Sequence, residues 1–204
     1  MPITASLSAG QEYQPFPDVP RRNLLQESIE LPVLIALLRL PRGGRILEVG
    51  CGRGIALPVL ARTLAPSHLV GIDIDAALLQ SAAERAEKRG VQVELRRADV
   101  RALPFADGAF DMVIDFGTCH HISGPDRALR EIARVLRHGG LFVSETVSSQ
   151  LLSHPMRTRG RRLPWHAVPG LRVARQAILW KARRKELPIT RPFSRATRAT
   201  ARPV

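Results

Sequence analysis

The chain of 204 residues is poor in aromatic side chains and in cysteine. Tryptophan, tyrosine and phenylalanine together make up 4% of it, so it has little of the aromatic surface on which single-stranded nucleic acids stack their bases. The two cysteines, Cys51 and Cys119, cannot form a disulfide framework, and neither has the CxxC partner that a zinc site uses. We therefore expect a reducing environment and no bound metal.

Long apolar runs are also lacking. The longest mostly apolar stretch, Leu31 to Leu40, is far shorter than the roughly 20 residues that a transmembrane helix needs. Residues 1–20 do not show the basic start and apolar run of a signal peptide. We therefore expect a cytoplasmic protein, with association to a membrane surface left open by the charge pattern that follows.

Acidic residues are almost absent from the last quarter of the chain. Residues 151–204 carry 14 lysines and arginines but one acid, Glu186, whereas residues 1–150 carry 17 basic and 17 acidic residues. The formal net charge of +13 therefore lies in the tail. This asymmetry predicts a neutral body over 23–150, preceded by an N-terminal arm over 1–22 and followed by a basic extension.

Strand and helix patterns alternate through the neutral body. Buried apolar runs predict strands at 45–49, 68–74, 91–96, 109–116 and 141–146. Amphipathic patterns predict helices at 55–64, 76–89 and 126–137, the last stopped by Gly139 and Gly140, after two short helices between Asn23 and Leu40. This alternation implies an α/β fold of the Rossmann-like kind, a mostly parallel sheet flanked by helices. Ligands of such sheets bind at the carboxyl ends of the strands.

The basic extension shows no clear strand pair that would complete such a sheet. Residues 170–185 instead predict a basic helix with Trp180, and the residues from Thr190 onward have the composition of a disordered segment. Three roles stay open for the extension: a cover over the sheet and the acceptor pocket, a contact with an anionic membrane, or a contact with a nucleic-acid backbone. We favour them in that order.

A glycine-rich loop follows the first predicted strand, in the segment Glu48-Val49-Gly50-Cys51-Gly52-Arg53-Gly54. Gly50 and Gly52 permit positive φ and let a ligand approach the backbone, although such a loop is sometimes only a structural turn. The dinucleotide fingerprint GxGxxG would need glycine at position 55, where this chain has Ile55. Glu48 would repel a pyrophosphate but attract an ammonium group. The loop therefore favours S-adenosylmethionine, which carries an ammonium group and no phosphate, over a nicotinamide dinucleotide.

One acid, Asp73, lies at the end of the second predicted strand, and another, Asp99, follows the third. Asp73 comes 21 residues after Gly52, the spacing at which an acid binds ribose hydroxyls, while Asp75 is better placed as a helix cap. Asp99 can accept a hydrogen bond from an adenine amine, and the backbone N–H of Val100 can donate to a ring nitrogen. Each acid has a plainer alternative as a loop residue facing solvent. Together they predict a nucleoside site beside the glycine loop.

The order of these motifs resembles the class I S-adenosylmethionine-dependent methyltransferase superfamily, especially the group that includes the ubiquinone and menaquinone biosynthesis methyltransferases. The resemblance covers roughly residues 45–147 and rests on Ile46–Gly54, Val70–Asp75, Ala98–Val100, Leu103–Phe105, Ala109–Asp111, Cys119–His121 and Arg134–Gly140. It implies that the cofactor contacts Glu48, Gly50, Cys51 and Gly52 with its methionine part, Asp73 and Ile74 with its ribose, Asp99 and Val100 with its adenine, and Asp115 and Phe116 near its sulfonium.

The resemblance further implies methyl transfer to a small-molecule or lipophilic acceptor. His120 and His121 follow the fourth strand, and the ordinary pKa of histidine, about 6.5, suits removal of a proton from a hydroxyl or an acidic carbon. The alternative is that one histidine packs and the other caps the next helix. A second hypothesis is a cofactor-binding module without transfer activity that acts through partners. A nicotinamide-dependent oxidoreductase is a third, which Glu48 and Ile55 oppose.

Overall fold

The computed structural model describes residues 18, 20–145, 171–175 and 179–184. Within these residues seven strands form one sheet: β1 Arg45–Val49, β2 His68–Asp73, β3 Glu94–Arg97, β4 Phe110–Asp115, β5 Leu136–Glu145, β6 Leu171–Arg175 and β7 Leu179–Arg184. Their order across the sheet is β3-β2-β1-β4-β5-β7-β6. The first five are parallel, and β7 runs antiparallel to both of its neighbours. The predicted Rossmann-like fold is confirmed.

Helices flank this sheet, namely α1 Pro20–Leu25, α2 Leu31–Leu38, α3 Leu57–Leu64, α4 Ala76–Lys88 and α5 Pro125–Val135. The first two are joined by a π turn, Gln26–Glu30, in which the Leu31 N–H donates to the Gln26 carbonyl. Proline stands in the first turn of α2, α3 and α5, where its missing N–H removes no helical hydrogen bond. Asp75 caps α4 as predicted, because its side chain accepts from the N–H groups of Ala77 and Leu78.

The sheet is buried on both faces, which explains why its central strands are almost continuously apolar. One face packs against α5 through Leu47, Val49, Val70, Ile72, Val113, Leu129 and Ile132. The other face packs against α2 and α3 through Ile46, Leu69, Met112, Ile114, Ile35, Leu57 and Leu60. These two layers fix the strand ends that carry the loops of the site.

The strand order reverses beside β1, which sets the location of the site. The chain runs from β1 outward through β2 to β3, and then returns to β4 on the other side of β1. Loops leaving the carboxyl ends of β1 and β4 therefore diverge, and a crevice opens between them. The glycine loop and the loops that carry Asp73, Asp99 and Thr118 meet at this rim.

The boundary between α5 and β5 differs from the prediction. The helix ends at Val135, and Leu136 is already extended, with φ −73° and ψ 134°, and pairs with Phe110. The prediction that Gly139 and Gly140 stop the helix is wrong, since both lie within β5. Gly140 is needed for close packing instead, because a Cβ there would lie 2.8 Å from the Arg137 carbonyl oxygen.

The predicted basic helix at 170–185 is also wrong. Residues 171–175 and 179–184 form an antiparallel strand pair, and β7 pairs with β5 from Leu141↔Arg183 to Glu145↔Leu179. The extension therefore supplies the final strand pair that its sequence pattern does not show. Most of the predicted arm, at residues 1–17, and the predicted disorder from Thr190 lie outside the described residues.

None of the helices in the described part of the chain combines the length and the apolar character that crossing a bilayer requires.

Arg134 joins α5 to the loop that precedes β4. Its guanidinium donates to the carbonyl oxygens of Leu103 at 2.9 Å and Phe105 at 2.7 Å, and it pairs with Asp107 and Glu131. Glu131 in turn accepts from the Leu103 N–H at 2.8 Å. The Arg134 side chain thus donates hydrogen bonds to two loop carbonyls and also orients Glu131, which makes a second contact between the helix and the loop.

We expect Arg134→Leu to lower the free energy of unfolding by about 2 kcal/mol, because it removes the guanidinium donor from two loop carbonyls and from the carboxylates of Asp107 and Glu131. Urea denaturation followed by circular dichroism measures this change. The matched control is Arg130→Leu, one turn earlier on α5, which removes only an exposed pair with Asp126 and should leave the midpoint nearly unchanged. Equal midpoints for the two variants would contradict the role given to Arg134.

Candidate cofactor site

A cavity of about 420 Å³ opens at the carboxyl ends of the parallel strands. It is lined by Gly50, Ile72, Asp73, Ile74, Asp75, Ala76, Arg97, Ala98, Asp99, Val100, Arg101, Thr118 and Ile122. Five predicted site residues are in this lining: Gly50, Asp73, Ile74, Asp99 and Val100. A second cavity of about 330 Å³, at the amino ends of β2 and β3, contains none of them.

The glycine loop needs glycine at three positions, and for three different reasons. Gly50, Gly52 and Gly54 all have positive φ, at 64°, 53° and 69°. A Cβ at Gly50 would lie 1.7 Å from the Thr118 hydroxyl, and a Cβ at Gly54 would lie 2.9 Å from the Ala82 Cβ on α4. Gly52 is not in the cavity lining itself, and no atom of the described residues lies within 4 Å of a Cβ built there. Gly50 and Gly54 therefore permit internal packing, whereas Gly52 leaves its backbone accessible to a ligand.

Asp73 fastens the glycine loop to the end of β2. It is 5% exposed, and its two carboxylate oxygens accept from the Gly52 N–H at 2.8 Å and the Asp75 N–H at 2.9 Å. Burial raises the pKa of this carboxyl, and the two N–H donors oppose the rise. Each oxygen keeps a second lone pair. Asp73 can therefore hold the loop and accept ribose hydroxyls at the same time.

Glu48 lies near the end of β1, two residues before Gly50, and does not itself line the cavity. It is 3% exposed, and its Oε2 has no hydrogen-bond partner among the described residues. Burial, together with the charges of Asp73 and Asp115, raises the pKa of Glu48 from 4.5 to about 8. A buried carboxyl oxygen without a donor is costly, and an ammonium group would satisfy it. The residues present therefore fit the amino-acid end of S-adenosylmethionine.

Asp99 is fixed at the cavity rim by Arg101. The guanidinium donates to both carboxylate oxygens, with the shortest distance 2.8 Å from Nη2 to Oδ2. These hydrogen bonds hold the pKa of Asp99 below its ordinary value. Arg101 also reaches the Ser123 hydroxyl at 3.0 Å, so it bridges the loops after β3 and β4. The carboxylate is thus held ionised at the position predicted for adenine.

Asp115 and Cys51 are buried and do not line the cavity. The Asp115 carboxylate accepts from the N–H of Gly117 at 3.0 Å, the N–H of Thr118 at 2.6 Å and the Ser144 hydroxyl at 3.2 Å, and so shapes the turn after β4. The Cys51 sulfur lies near Gly71, and burial raises the pKa of its thiol. Cofactor contact by Cys51, Asp115 and Phe116 stays a prediction.

The two histidines also lie off the cavity lining. His120 ends the short helical turn Thr118–His120 and is 4% exposed, whereas His121 is partly exposed. Thr118 and Ile122, which flank them, do reach the cavity. A catalytic role for either histidine therefore stays a prediction.

Sequence reasoning missed two side chains that organise the site, Arg101 and Thr118. The Thr118 hydroxyl lies 3.2 Å from the Val49 carbonyl oxygen and 3.4 Å from that of Gly50, so it secures the start of the glycine loop. Its position directly after the fourth strand is the one signal that pointed to this rim. Nothing in the spacing of Arg101 indicates that it bridges two loops.

Comparison with known proteins identifies the family. Residues 47–144 match a family described as a methyltransferase domain. The chain is 40% identical over 104 residues to a phosphatidylethanolamine N-methyltransferase of Cereibacter sphaeroides, an alignment that covers 50% of each chain. It is 35% identical over 140 residues to a fatty-acid O-methyltransferase of Mycolicibacterium smegmatis, covering 67% of this chain and 50% of that one. The chain thus spans about half the length of these curated relatives.

A solved structure supports the fold independently. The chain superposes on a SAM-dependent methyltransferase of Aquifex aeolicus with a TM-score of 0.62 and 21% identity, over 82% of this chain and 93% of that one. This likeness shows the same Rossmann-like fold. Residues 47–144 form a domain of the class I S-adenosylmethionine-dependent methyltransferase kind, and the cofactor that this family implies is the one that the sequence predicts.

We expect Gly52→Ala to weaken binding of S-adenosylhomocysteine far more than it weakens the fold. A methyl group at Gly52 occupies the open space above the loop, and it also adds the strain of a positive φ, about 1 kcal/mol. Gly90→Ala is the matched control, since Gly90 has φ 62° and the same open surroundings but lies past the end of α4. Calorimetric titration and thermal unfolding of both variants separate the two effects. Equal loss of affinity in both would reject the ligand contact.

Cofactor binding should release a proton at Glu48. Because the pKa of Glu48 is about 8 without ligand, the carboxyl is mostly protonated at pH 6.5, and an ammonium partner favours its ionised form. Affinity should therefore rise with pH and level off above about pH 8. Calorimetry of S-adenosylhomocysteine binding in buffers of different ionisation enthalpy counts the protons released. Glu48→Gln should abolish the release; a release that persists in this variant would assign it to another group.

Proposed function

We propose that this protein transfers a methyl group from S-adenosylmethionine to a small-molecule or lipid-like acceptor. The observation that carries the proposal is the Glu48 carboxyl, whose buried Oε2 has no hydrogen-bond partner among the described residues, two residues before a glycine loop whose backbone is open at Gly52. A bare backbone beside a buried acid suits a ligand that has a cationic group and no phosphate. Asp73 and Asp99 line the same cavity. They are the carboxylates expected to accept hydrogen bonds from the ribose hydroxyls and the adenine amine of that ligand.

The cofactor contacts divide along the cavity in the order of the strands. Glu48, Gly50 and Gly52 would hold the methionine part. Asp73 and Ile74 at the end of β2 would hold the ribose, and Asp99 with Val100 after β3 would hold the adenine. The fixed carboxylates of Asp73 and Asp99 support this division, because each is oriented by donors from its own chain before any ligand binds.

Orientation is the main contribution that the chain's own residues can make to the transfer. When bound, the cofactor supplies a methyl group on a sulfonium, which is already an excellent leaving group. The ordered loop and the hydrogen-bonded side chains of Asp73 and Asp99 restrict the ligand's position, and such restriction can lower a barrier by about 7–11 kcal/mol. A base is needed only for a hydroxyl or an acidic carbon, and His120 and His121 are the candidates for it.

The acceptor proposal rests on two further observations. The relatives described above are named for methylation of a phospholipid and of a fatty acid, which favours a lipophilic acceptor. Large apolar side chains are also exposed on the N-terminal helices and at the cavity rim, namely Leu24, Leu25, Ile29, Val33 and Ile74. The comparisons give no support to a binding module without transfer activity.

The structure of the basic extension weakens the case for contact with a membrane. An amphipathic helix would suit a membrane interface, but residues 171–175 and 179–184 form two strands. Peripheral membrane contact through the charge of the extension stays a proposal, ahead of nucleic-acid contact, as does a cytoplasmic location.

The direct experiment measures transfer of a labelled methyl group from S-adenosylmethionine to phosphatidylethanolamine, to a free fatty acid and to a small phenol. We expect labelled product with at least one acceptor. Asp73→Ala should lower the rate at subsaturating cofactor at least about tenfold, because hydrogen bonds to the ribose and to the glycine loop are lost. Gly90→Ala serves as the active control.

Three outcomes separate the hypotheses. Label in the product supports the proposal and names the acceptor class. Binding of S-adenosylhomocysteine without transfer to any acceptor would favour the silent binding module. Failure of the wild-type protein to bind S-adenosylhomocysteine would overturn both.

A further inference from the structure

A buried carboxylate joins the N-terminal helical segment, which comprises α1, the π turn and α2, to helix α4. Glu27, in the π turn between α1 and α2, is 6% exposed. Its Oε2 accepts from Arg85 Nη1 at 3.1 Å and from Arg89 Nη2 at 3.0 Å, and its Oε1 lies 2.8 Å from Arg89 Nε. A buried carboxylate that accepts charge-assisted hydrogen bonds from two guanidinium groups restrains the orientation of both arginines.

One of these arginines continues to the cofactor loop. Arg85 Nε donates to the Arg53 carbonyl oxygen at 3.1 Å, on the opposite side of the guanidinium from Glu27. One turn earlier on α4, Ala82 packs against Gly54 so closely that no side chain fits there. The second half of the glycine loop therefore rests on two adjacent turns of α4. Arg89 makes the contact with Glu27 and lies one turn further from the loop.

The loop benefits from being ordered before a ligand arrives. Three glycines at positive φ within five residues make it costly to order, because glycine has the largest conformational freedom to lose. Its first half is fastened to β2, since the Cys51 N–H donates to the Ile72 carbonyl at 2.8 Å and the Gly52 N–H donates to Asp73. Contacts that fix the other half in advance reduce the entropy lost on binding.

We propose that Arg85 is a positioning residue for the cofactor loop and that Glu27 holds Arg85 in place, so that cofactor affinity depends on docking of the N-terminal helical segment. The proposal rests on the assignment of this loop to the methionine part of the cofactor. A planar guanidinium binds Glu27 with one edge and the Arg53 carbonyl with another, which the single ammonium of lysine cannot reproduce.

Glu27 lies within the π turn, where one helical turn contains an extra residue. The hydrogen bond from the Leu31 N–H to the Gln26 carbonyl closes this wider turn. Such turns are frequent at functional sites. A further contact to the loop comes from Asp18, whose Oδ2 lies 3.9 Å from Arg53 Nε and whose Oδ1 accepts from the Asn23 amide at 2.6 Å.

The test compares Arg85→Lys with Arg89→Lys in the full chain. Both variants keep a cation beside Glu27, but only the first removes the donor to the Arg53 carbonyl. The Kd for S-adenosylhomocysteine should rise about fivefold in Arg85→Lys and stay within about twofold of wild type in Arg89→Lys. Thermal unfolding of both variants checks that their stabilities are lowered to a similar extent.

Amide hydrogen exchange of the ligand-free protein gives a readout independent of the cofactor. Exchange at Gly52, Arg53 and Gly54 should be faster in Arg85→Lys and unchanged in Arg89→Lys. Glu27→Gln should show the same acceleration, and combining it with Arg85→Lys should add little, because both act through one contact. Glu27→Gln also replaces Arg85→Lys if that variant does not fold.

Equal changes of Kd in the two lysine variants, or unchanged loop exchange in Arg85→Lys, would overturn the positioning role while leaving the methyltransferase assignment intact. A wild-type protein that binds no S-adenosylhomocysteine would instead overturn the proposed function, and with it this proposal.

Discussion

The glycine loop after β1 holds a backbone shape that few other residues can adopt, and the surrounding structure is arranged to keep it. Gly50, Gly52 and Gly54 share positive φ, yet each faces different surroundings. Asp73 binds the loop from β2, and Thr118 binds it from the turn after β4. The reversal of strand order beside β1 brings these side chains to the same rim. The topology of the sheet thus brings together the side chains that order the glycine loop, a segment with little intrinsic preference for one conformation.

Three buried carboxyl groups gather at this rim, and they differ in how they are satisfied. Asp115 accepts from three backbone N–H groups and a serine hydroxyl, and Asp73 accepts from the N–H groups of Gly52 and Asp75. Glu48 has an oxygen without a donor in the described structure, and burial and its acidic neighbours raise its pKa to about 8. Among these three groups Glu48 is therefore the one that an added cation would stabilise most, which is the basis of the proposed contact with an ammonium group.

Local signals made much of this structure predictable. The bounds of β1, the Asp75 cap and the place of Asp73 at the end of β2 follow from apolar runs and capping chemistry, which act over a few residues. The prediction was wrong for 170–185, because short strands rich in arginine show no clear alternation and a helical spacing fits them as well. Arg85 and Arg101 escaped notice for another reason: their partners are fixed by side-chain conformation across distant elements, which spacing does not encode.

The strand pair formed by the basic extension also converts β5 from an edge strand into an interior strand of the sheet. Without β7, the backbone from Leu141 to Glu145 would be an exposed sheet edge, able to pair with any extended chain it met. With the pair in place, the outermost of the described strands is β6, whose sequence includes Arg172 and Arg175. Charged residues on an edge strand discourage further strand addition. The composition that first suggested an external partner is thus also one that disfavours pairing between the edges of two sheets.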